Sequence, residues 1–442
     1  MIVPVEASAA MRVAIIGAGA AGLVCARELS REGLVPEVFE QGLAPGGTWV
    51  YEPRTEGVHG SLYASLRTNL PRDLMAFDDF PFADQGAGDP RRFPGHAEVR
   101  RYLDAFARAH ELLPTIRYGR TVTRLSPRQA DGSAWMAHDA ALPPAHWRLG
   151  WTDDDGAHED RFDAVCVANG HYHAPRVPPL PGRSEFAGTV LHSHAYREPT
   201  AFTGRTVAVL GAKSSGIDLS LELARVARRV LLCGRDLVPA DGLGPRGNLG
   251  HRPAIAALEP RSLRLVDGSR ETDIDALLLC TGYRYVFPFL EPRAGMLQSS
   301  DEHPFPLHLD LVSAHADTLA FVGLPFKVVP FPLMHRQARL WARVLTGAVA
   351  LPEPTQRLRL AAERDAQLAA DGVPPRHRLR YGAAQWAYGE HLARLAGDPA
   401  PGRWRQRLND LVSAARGRDP AGYRDEPFPG RADLVSLEPT TT

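Results

Sequence analysis

Apolar and polar positions along this chain fall into strand-length runs and helix-length stripes, most clearly near the start. Val13 to Ile16 is an unbroken apolar run of the length of a buried central strand. Leu23, Ala26 and Leu29 then recur at helical spacing until Gly33, and Val35 to Phe39 makes a second strand. Glu98 to His110 sets Val99, Tyr102, Leu103 and Phe106 on one face of an amphipathic helix. Thr121 to Leu125 and Trp147 to Trp151 read as strands on either side of a loose excursion rich in Pro, Ala and His that carries no chemistry. Phe162 to Gly170, "FDAVCVANG", is an apolar strand closed by Asn-Gly. The proline-rich connector His171 to Gly182 marks a domain boundary.

Beyond the connector the opening pattern returns. Thr206 to Arg235 is again strand, glycine turn, helix and strand, and "IDALLLCTG", Ile274 to Gly282, has the form of "FDAVCVANG". "YRYVFPFL" then leads back into the first domain. Leu319 to Phe326 reads as a further buried strand, and Pro332 to Gly347 as a helix behind a proline start. The pattern predicts an α/β chain of two Rossmann-like dinucleotide-binding domains, one inserted into the other. Residues 1–174 and 285–442, with C-terminal helices, form the outer domain and residues 175–284 the inserted one.

The residues of each turn say what it is for. Gly17 permits a tight turn, Gly19 lets a pyrophosphate approach the backbone, and Gly22 lets helix and strand pack closely. The helix N-terminus adds unpaired N–H groups and its positive dipole end. Glu40 sits where a carboxylate accepts hydrogen bonds from both ribose hydroxyls and repels a 2′-phosphate, so this unit takes FAD or NAD rather than NADP. In the second unit Gly211 matches Gly17 and Gly216 matches Gly22, with Lys213 in place of the middle glycine. Lys213, Ser214 and Ser215 add donors for phosphate. Arg235 stands at nearly the offset of Glu40, and a guanidinium fork suits a 2′-phosphate as a carboxylate suits a diol. The second nucleotide is therefore NADPH, the plain alternative being that Arg235 is a solvated strand end.

Three other places leave two readings each. Gly46, Gly47 and Trp49 form either a surface turn with a buried indole, or a backbone approach to a flavin ribityl chain with the indole near the ring. Ser61 to Phe82 is too aromatic and too broken by proline for an ordinary helix, and reads as a folded loop lining a pocket. Within it Asn69 either caps a turn or offers its amide to a ligand. His192 and His194 alternate with Ser193, so on a strand they share one face. A metal ion there lacks a third and fourth ligand in register, and packing at a domain junction is the other reading.

Composition narrows the partners. The 442 residues hold two or more domains, each with its own core. The 51 basic and 51 acidic side chains cancel, which points to neither nucleic acid nor an anionic membrane. No apolar run reaches the ~18–20 residues that span a bilayer. "MIVPVEASAA" lacks the basic start and long apolar core of a signal peptide, so a soluble, cytoplasmic protein is expected. Cys25, Cys166, Cys233 and Cys280 lie in apolar patterns with no Cys-x-x-Cys, and read as buried free thiols rather than a dithiol centre or a zinc site.

With these residues in view the chain resembles the flavin-containing monooxygenases, the flavin-dependent N- and S-oxygenases, from Gly17 to the "YRD" at Tyr423. The most specific element is Phe-x-Gly-x-x-x-His-x-x-x-Tyr, present as Phe186, Gly188, His192 and Tyr196; Baeyer–Villiger monooxygenases carry Trp at the place of Tyr196. "LRTNLPRDLMAFDDFPF", "FPGHAEV", "NGHY" and "CTGYRYVFPFL" are similar to the family too, closest to plant-type members that oxygenate thioether sulfur in glucosinolate-like metabolites. Lys213 departs from the pattern. So does "PLHLDLVSAHADTLAF", where the family usually has Tyr-x-His followed by paired prolines.

The resemblance implies that NADPH reduces FAD, that O2 then gives a C4a-hydroperoxyflavin shielded by NADP+, and that a sulfide or an amine takes the distal oxygen. It places Asn69 nearest the reaction, hydrogen-bonding NADP+ and the peroxyflavin, with Tyr196 and His192 holding the junction near the nicotinamide. Expected cofactor-binding residues are Gly17, Ala18, Gly19, Ala20, Ala21, Gly22, Glu40, Gly47, Thr48, Trp49, Thr68, Asn69, Gly211, Ala212, Lys213, Ser214, Ser215, Gly216, Arg235, Thr281 and Gly282. No metal is expected, and a homodimer stays open. The rivals are Baeyer–Villiger oxygenation, N-hydroxylation of amino acids, and a non-enzymatic NADPH and flavin sensor.

Overall fold

The computed structural model describes residues 10–57, 59–82, 88–137, 142–291, 295, 304 and 306–436. The expectation about a leader falls on residues outside these. The first unit opens with β1 (Arg12–Ile16), α1 (Ala20–Arg31) and β2 (Val35–Phe39), continues through α2 (His96–Ala109), and returns at β3 (Ala164–Val167). The second runs β4 (Thr189–His192), β5 (Thr206–Leu210), α3 (Ser214–Leu223), β6 (Arg229–Cys233) and β7 (Ala276–Leu279). The chain then adds β8 (Leu319–Phe321) and the helices α4 (Pro330–Leu345), α5 (Pro354–Ala370), α6 (Gln385–Leu395) and α7 (Trp404–Arg418).

Among the described residues the first sheet has the order Leu307–His308, Val312–Ser313, β8, β3, β1, β2, Ile116–Arg117, parallel from β8 onward. The second has the order Ala240–Leu243, Leu249–Arg252, β6, β5, β7, β4, parallel but for its first strand. Its strands lie in sequence between β3 and β8, so one Rossmann-type unit is inserted in the other. The unbroken apolar run of β1 exists because both faces are covered. Val13 and Ile15 pack with Leu23, Leu29 and Trp341 on the helical side, Ala14 and Ile16 with Trp147, Phe162 and Phe287 on the other.

Two boundaries differ from the sequence pattern. Helix α4 starts at Pro330 rather than Pro332, because a proline ring suits the first helical position. Strand β8 stops at Phe321 instead of Phe326, and Gly323 follows with φ +89°. The departure "PLHLDLVSAHADTLAF" supplies the antiparallel edge hairpin of the first sheet, its tip at Leu309 and Asp310 in left-handed conformations. Among the described residues no helix is long and apolar enough to cross a membrane.

Candidate active site

The two glycine turns obey the same steric rules. Gly17 has φ +105° and Gly211 φ +113°, and a Cβ on either would press on a carbonyl oxygen, of Ala168 and of Cys280. A Cβ on Gly22 or Gly216 would overlap the carbonyl oxygen of Gly17 or Gly211. The middle position differs, for a reason outside the turn. Gly19 and Lys213 both have ordinary extended conformations as helix N-caps (φ −73° and −106°). A Cβ on Gly19 would meet the Gly47 Cα at 3.5 Å, an ordinary contact, and the tight side of this approach is Gly47, whose own Cβ would lie 2.8 Å from the Gly19 Cα. Lys213 instead points into solvent, its side chain 80% exposed.

Gly46 and Gly47 therefore do more than form a free surface turn. Gly46 (φ +127°) donates its N–H to the Ala18 carbonyl at 2.8 Å and starts the short 3-10 turn Gly47–Trp49, whose first residue, Gly47, lies against Gly19 of the first glycine turn. The half-buried Trp49 indole meets Phe331 edge-on at 6.4 Å between centroids. Ala18, Ala20 and Ala21 are buried under the turn. The Glu40 carboxylate accepts the N–H of Ala18 and of Gly42, each at 2.7 Å, so it braces the turn and keeps lone pairs over for a diol.

The charge contrast at the strand ends holds with a shift of one residue. Gly17 donates to the Phe39 carbonyl at 2.8 Å and Gly211 to that of Cys233 at 2.9 Å, so the structural counterpart of Glu40 is Gly234. A Cβ there would lie 2.9 Å from the Ala212 methyl. The exposed Arg235 follows. Cations from the last third of the chain gather beside it. Arg416 donates to the Ser214 hydroxyl at 2.9 Å, at the start of α3, where Ser215 and Gly216 follow. Burial, then Arg416, Arg380 and Lys213, hold the Lys327 ammonium below its usual range. Burial, then Arg376, Arg380, Arg235 and Lys213, do the same to His377. The sequence pattern gives no hint of this cluster.

The loop from Ser61 to Phe82 is folded, with one helical turn at Arg72–Met75. Asn69 caps nothing, since its half-exposed amide makes no hydrogen bond to a described residue. Its neighbour Thr68 is buried and its hydroxyl has no partner among the described residues. Arg424 donates to the Thr68 carbonyl at 2.9 Å and to both oxygens of Asp218, on α3, at 3.3 and 2.8 Å. Glu222, one turn further along α3, accepts from the Ser65 hydroxyl and, at 2.8 Å, from the Tyr196 hydroxyl. Burial and the charge of Glu222 push the Tyr196 phenol far above its usual range. Arg197, buried, donates to the carbonyls of Glu52, Arg54, His194 and Tyr196. Arg197, Asp218, Glu222 and Arg424 were not singled out from sequence. The spacing of Asp218 and Glu222 along one helix was the available signal.

The two-histidine face requires correction. Strand β4 ends at His192, and His194 lies in a 3-10 turn, so they do not share a strand face. His192 Nδ1 accepts the His194 N–H at 3.1 Å, and its Nε2 hydrogen bonds the Gly282 carbonyl at 3.1 Å. Burial holds His192 down to about 4, so the ring is neutral and both nitrogens are engaged. Among the described residues no group of three His, Cys, Asp or Glu is placed to hold a metal ion. Gly282 (φ +83°) accepts a second bond, from Arg176 N–H at 2.8 Å, while the Thr281 hydroxyl donates to the Arg176 carbonyl. His59 and His173 stack nearby at 4.4 Å, and burial also keeps His171 and His173 down to about 4. At Gly188 a Cβ would lie 2.7 Å from the Phe186 ring, which explains their spacing in the Phe-x-Gly motif. Cys25, Cys166 and Cys233 are buried free thiols, while Cys280 is half-buried.

A family model described as Flavin-binding monooxygenase-like matches residues 10–238 and 244–381. Flavin-containing monooxygenase FMO GS-OX-like 4 of Arabidopsis thaliana is 36% identical over 434 residues, spanning 94% of this chain and 93% of its own. The solved structure of S-allyl-L-cysteine S-oxygenase from Allium sativum has a TM-score of 0.88 at 36% identity, covering 97% of both chains. Tmm from Pelagibacter sp. strain HTCC7211, at 22% identity and a TM-score of 0.80 over 94% of this chain and 93% of its own, shares the fold.

Proposed function

The chain belongs to the flavin-binding monooxygenase-like family, whose members are FAD- and NADPH-dependent oxidoreductases, and from that premise we propose that it transfers one oxygen atom from O2 to a soft nucleophile, thioether sulfur ahead of amine nitrogen. The preference for sulfur rests on the similarity to an S-allyl-L-cysteine S-oxygenase and to GS-OX-like relatives. Tyr196 in place of Trp favours it over Baeyer–Villiger chemistry.

The residues fit both cofactors. Gly17, Gly22, Gly46 and Gly47 hold backbone in approaches too close for a Cβ and, with Gly19, leave main chain rather than side chains at the turn, the arrangement a pyrophosphate and a ribityl chain need, with Glu40 toward the ribose. Residues 1–174 and 285–442 are the proposed FAD domain and 175–284 the NADPH domain. Gly211, Ala212 and Gly216 form the second cradle, Lys213, Ser214 and Ser215 face the pyrophosphate, and Arg235 the 2′-phosphate, with Arg416 and Lys327 adding positive charge. The flavin, when bound, supplies the oxygen-transfer chemistry. The protein orients and keeps water out. Asn69 offers an uncommitted amide beside the orphan Thr68 hydroxyl, and is the residue proposed to contact the nicotinamide cofactor and the reacting oxygen. Tyr196 and His192 are positioning residues: the Tyr196 proton is committed to Glu222, and His192 holds the Thr281–Gly282 turn. The free, mostly buried thiols suit a reducing compartment, so the cytoplasm is the proposed place of action.

One observation carries the reading: two turns with the same steric constraint at their first and last glycines, whose strand ends differ in charge, Glu40 in one and Arg235 inside a cationic cluster in the other. The test is a side-by-side assay of an allyl thioether, a tertiary amine and a cyclic ketone with yellow purified protein, NADPH and O2. Sulfoxide as the main product is expected. Lactone as the main product, or NADPH oxidation that no substrate accelerates, overturns it.

A further inference from the structure

A cavity of about 420 Å³ opens between Asp78–Asp79, α4, the end of α6 and the start of α7, and none of its lining residues belongs to either glycine turn. That volume is typical of small-molecule sites, which span about 300–1,000 Å³. The charges on its wall do not balance. Arg31 meets Asp79 at 3.0 Å and Arg339 meets Asp398 at 2.5 Å. Arg336 and Arg405, however, both turn to a single carboxylate, Asp78, each at 3.2 Å. Arg431 adds a third guanidinium, held 5.2 Å from the Trp404 ring centroid and paired with no described carboxylate. Arg405 is only 5% exposed. Burial, opposed by Asp78, and then the like charges of Arg336 and Arg431 bring its guanidinium down to about 10. Helix α7 begins at the same wall, with no acidic residue in its first turn and no side-chain cap, so its N–H groups add to the positive field.

We infer that this cavity is a binding site for a small oxyanion, a phosphate or carboxylate carried on a compact organic body. Arg336 and Arg431 fork its oxygens, Arg405, whose own donors go to Asp78 and the Leu74 carbonyl, adds its charge from behind, and Trp404, Pro399 and Pro401 lie against its body. Because Arg336 comes from α4, which packs on α1 behind the first glycine turn, the bound anion ties the start of α7 to that helix pair and stabilises it.

The experiment uses the flavin-loaded enzyme saturated with NADP+, so that the phosphate-reading turn is already filled. Thermal unfolding and titration calorimetry are run with inorganic phosphate, with citrate and with chloride at matched ionic strength. Phosphate, citrate or both should raise the unfolding midpoint while chloride does not, and which one acts identifies the headgroup. Arg431→Ala should weaken that binding about tenfold, the loss of one charged fork, with flavin content and sulfoxidation unchanged. Arg336→Lys, which keeps the charge and loses the fork, should weaken it too. Equal midpoints in all three salts, or unchanged affinity in both variants, overturn the proposal, and neither result bears on the oxygenase reading.

Discussion

At Gly22 and Gly216 the space for a methyl group is already held by a carbonyl oxygen, so alanine at either site must push a helix off its strand. The two substitutions should separate the cofactors. Gly22→Ala is expected to purify with well under one flavin per chain, and Gly216→Ala to stay yellow with a raised KM for NADPH; absorbance at the flavin band and steady-state kinetics check both. Arg235→Ala should weaken NADPH by ~1.5–3 kcal/mol, one to two decades, with NADH little affected. Equal losses for both coenzymes would mean that Arg235 does not read the 2′-phosphate. These residues were legible because glycine and charge at turns follow local rules. The exception is instructive: Arg235 sits one place past the true counterpart of Glu40, since Gly234 fills a spot too tight for a side chain.

Elements were legible where burial writes itself into the pattern, as in β1 and β5, whose buried runs admit little but apolar residues. The histidine pair shows the limit. Alternation implies a shared face only while a strand continues, and here it stops where His192 accepts the His194 N–H. What joins the elements was hidden altogether, since Arg416 and Arg424 reach α3 from about two hundred residues away in sequence. That junction makes a prediction. The loop carrying Asn69 is fastened to α3 through Arg424–Asp218 and Ser65–Glu222, leaving the Asn69 amide uncommitted. Asn69→Ala should still consume NADPH but release more H2O2 per turnover, measured as the ratio of peroxide to product. Unchanged coupling removes Asn69 from the reaction. Arg424→Ala should uncouple in the same direction with flavin retained, because it loosens the loop without touching its amide.

Across the whole molecule the inserted unit meets the outer one at a cluster of neutral imidazoles. His171, His173 and His192 are each brought from the ordinary 6.5 down to about 4 by burial. Between those values an unfolded chain binds protons that the folded chain refuses, so stability rises with pH through that window and is fully present above about 6.5. Glu28 and Asp79, lowered to about 2 against their own burial by Arg27 and His335, act in a separate and more acidic window. Their stabilisation is present above the usual carboxylate range and is lost only as pH falls from there toward 2. Cooling of the unfolding midpoint should therefore begin near pH 6.5, well before any carboxylate of the α1–α4 face is protonated. His173 has a buried ring nitrogen without a partner among the described residues, and its face is stacked on His59, so a proton there has neither water nor an acceptor to receive it. In His173→Phe, which keeps a stacking face toward His59 and removes the proton site, the midpoint between pH 7 and 5 should fall less steeply than in the parent. Parallel slopes for the two proteins, followed by calorimetry at constant ionic strength, would assign the acid sensitivity to groups away from the domain junction.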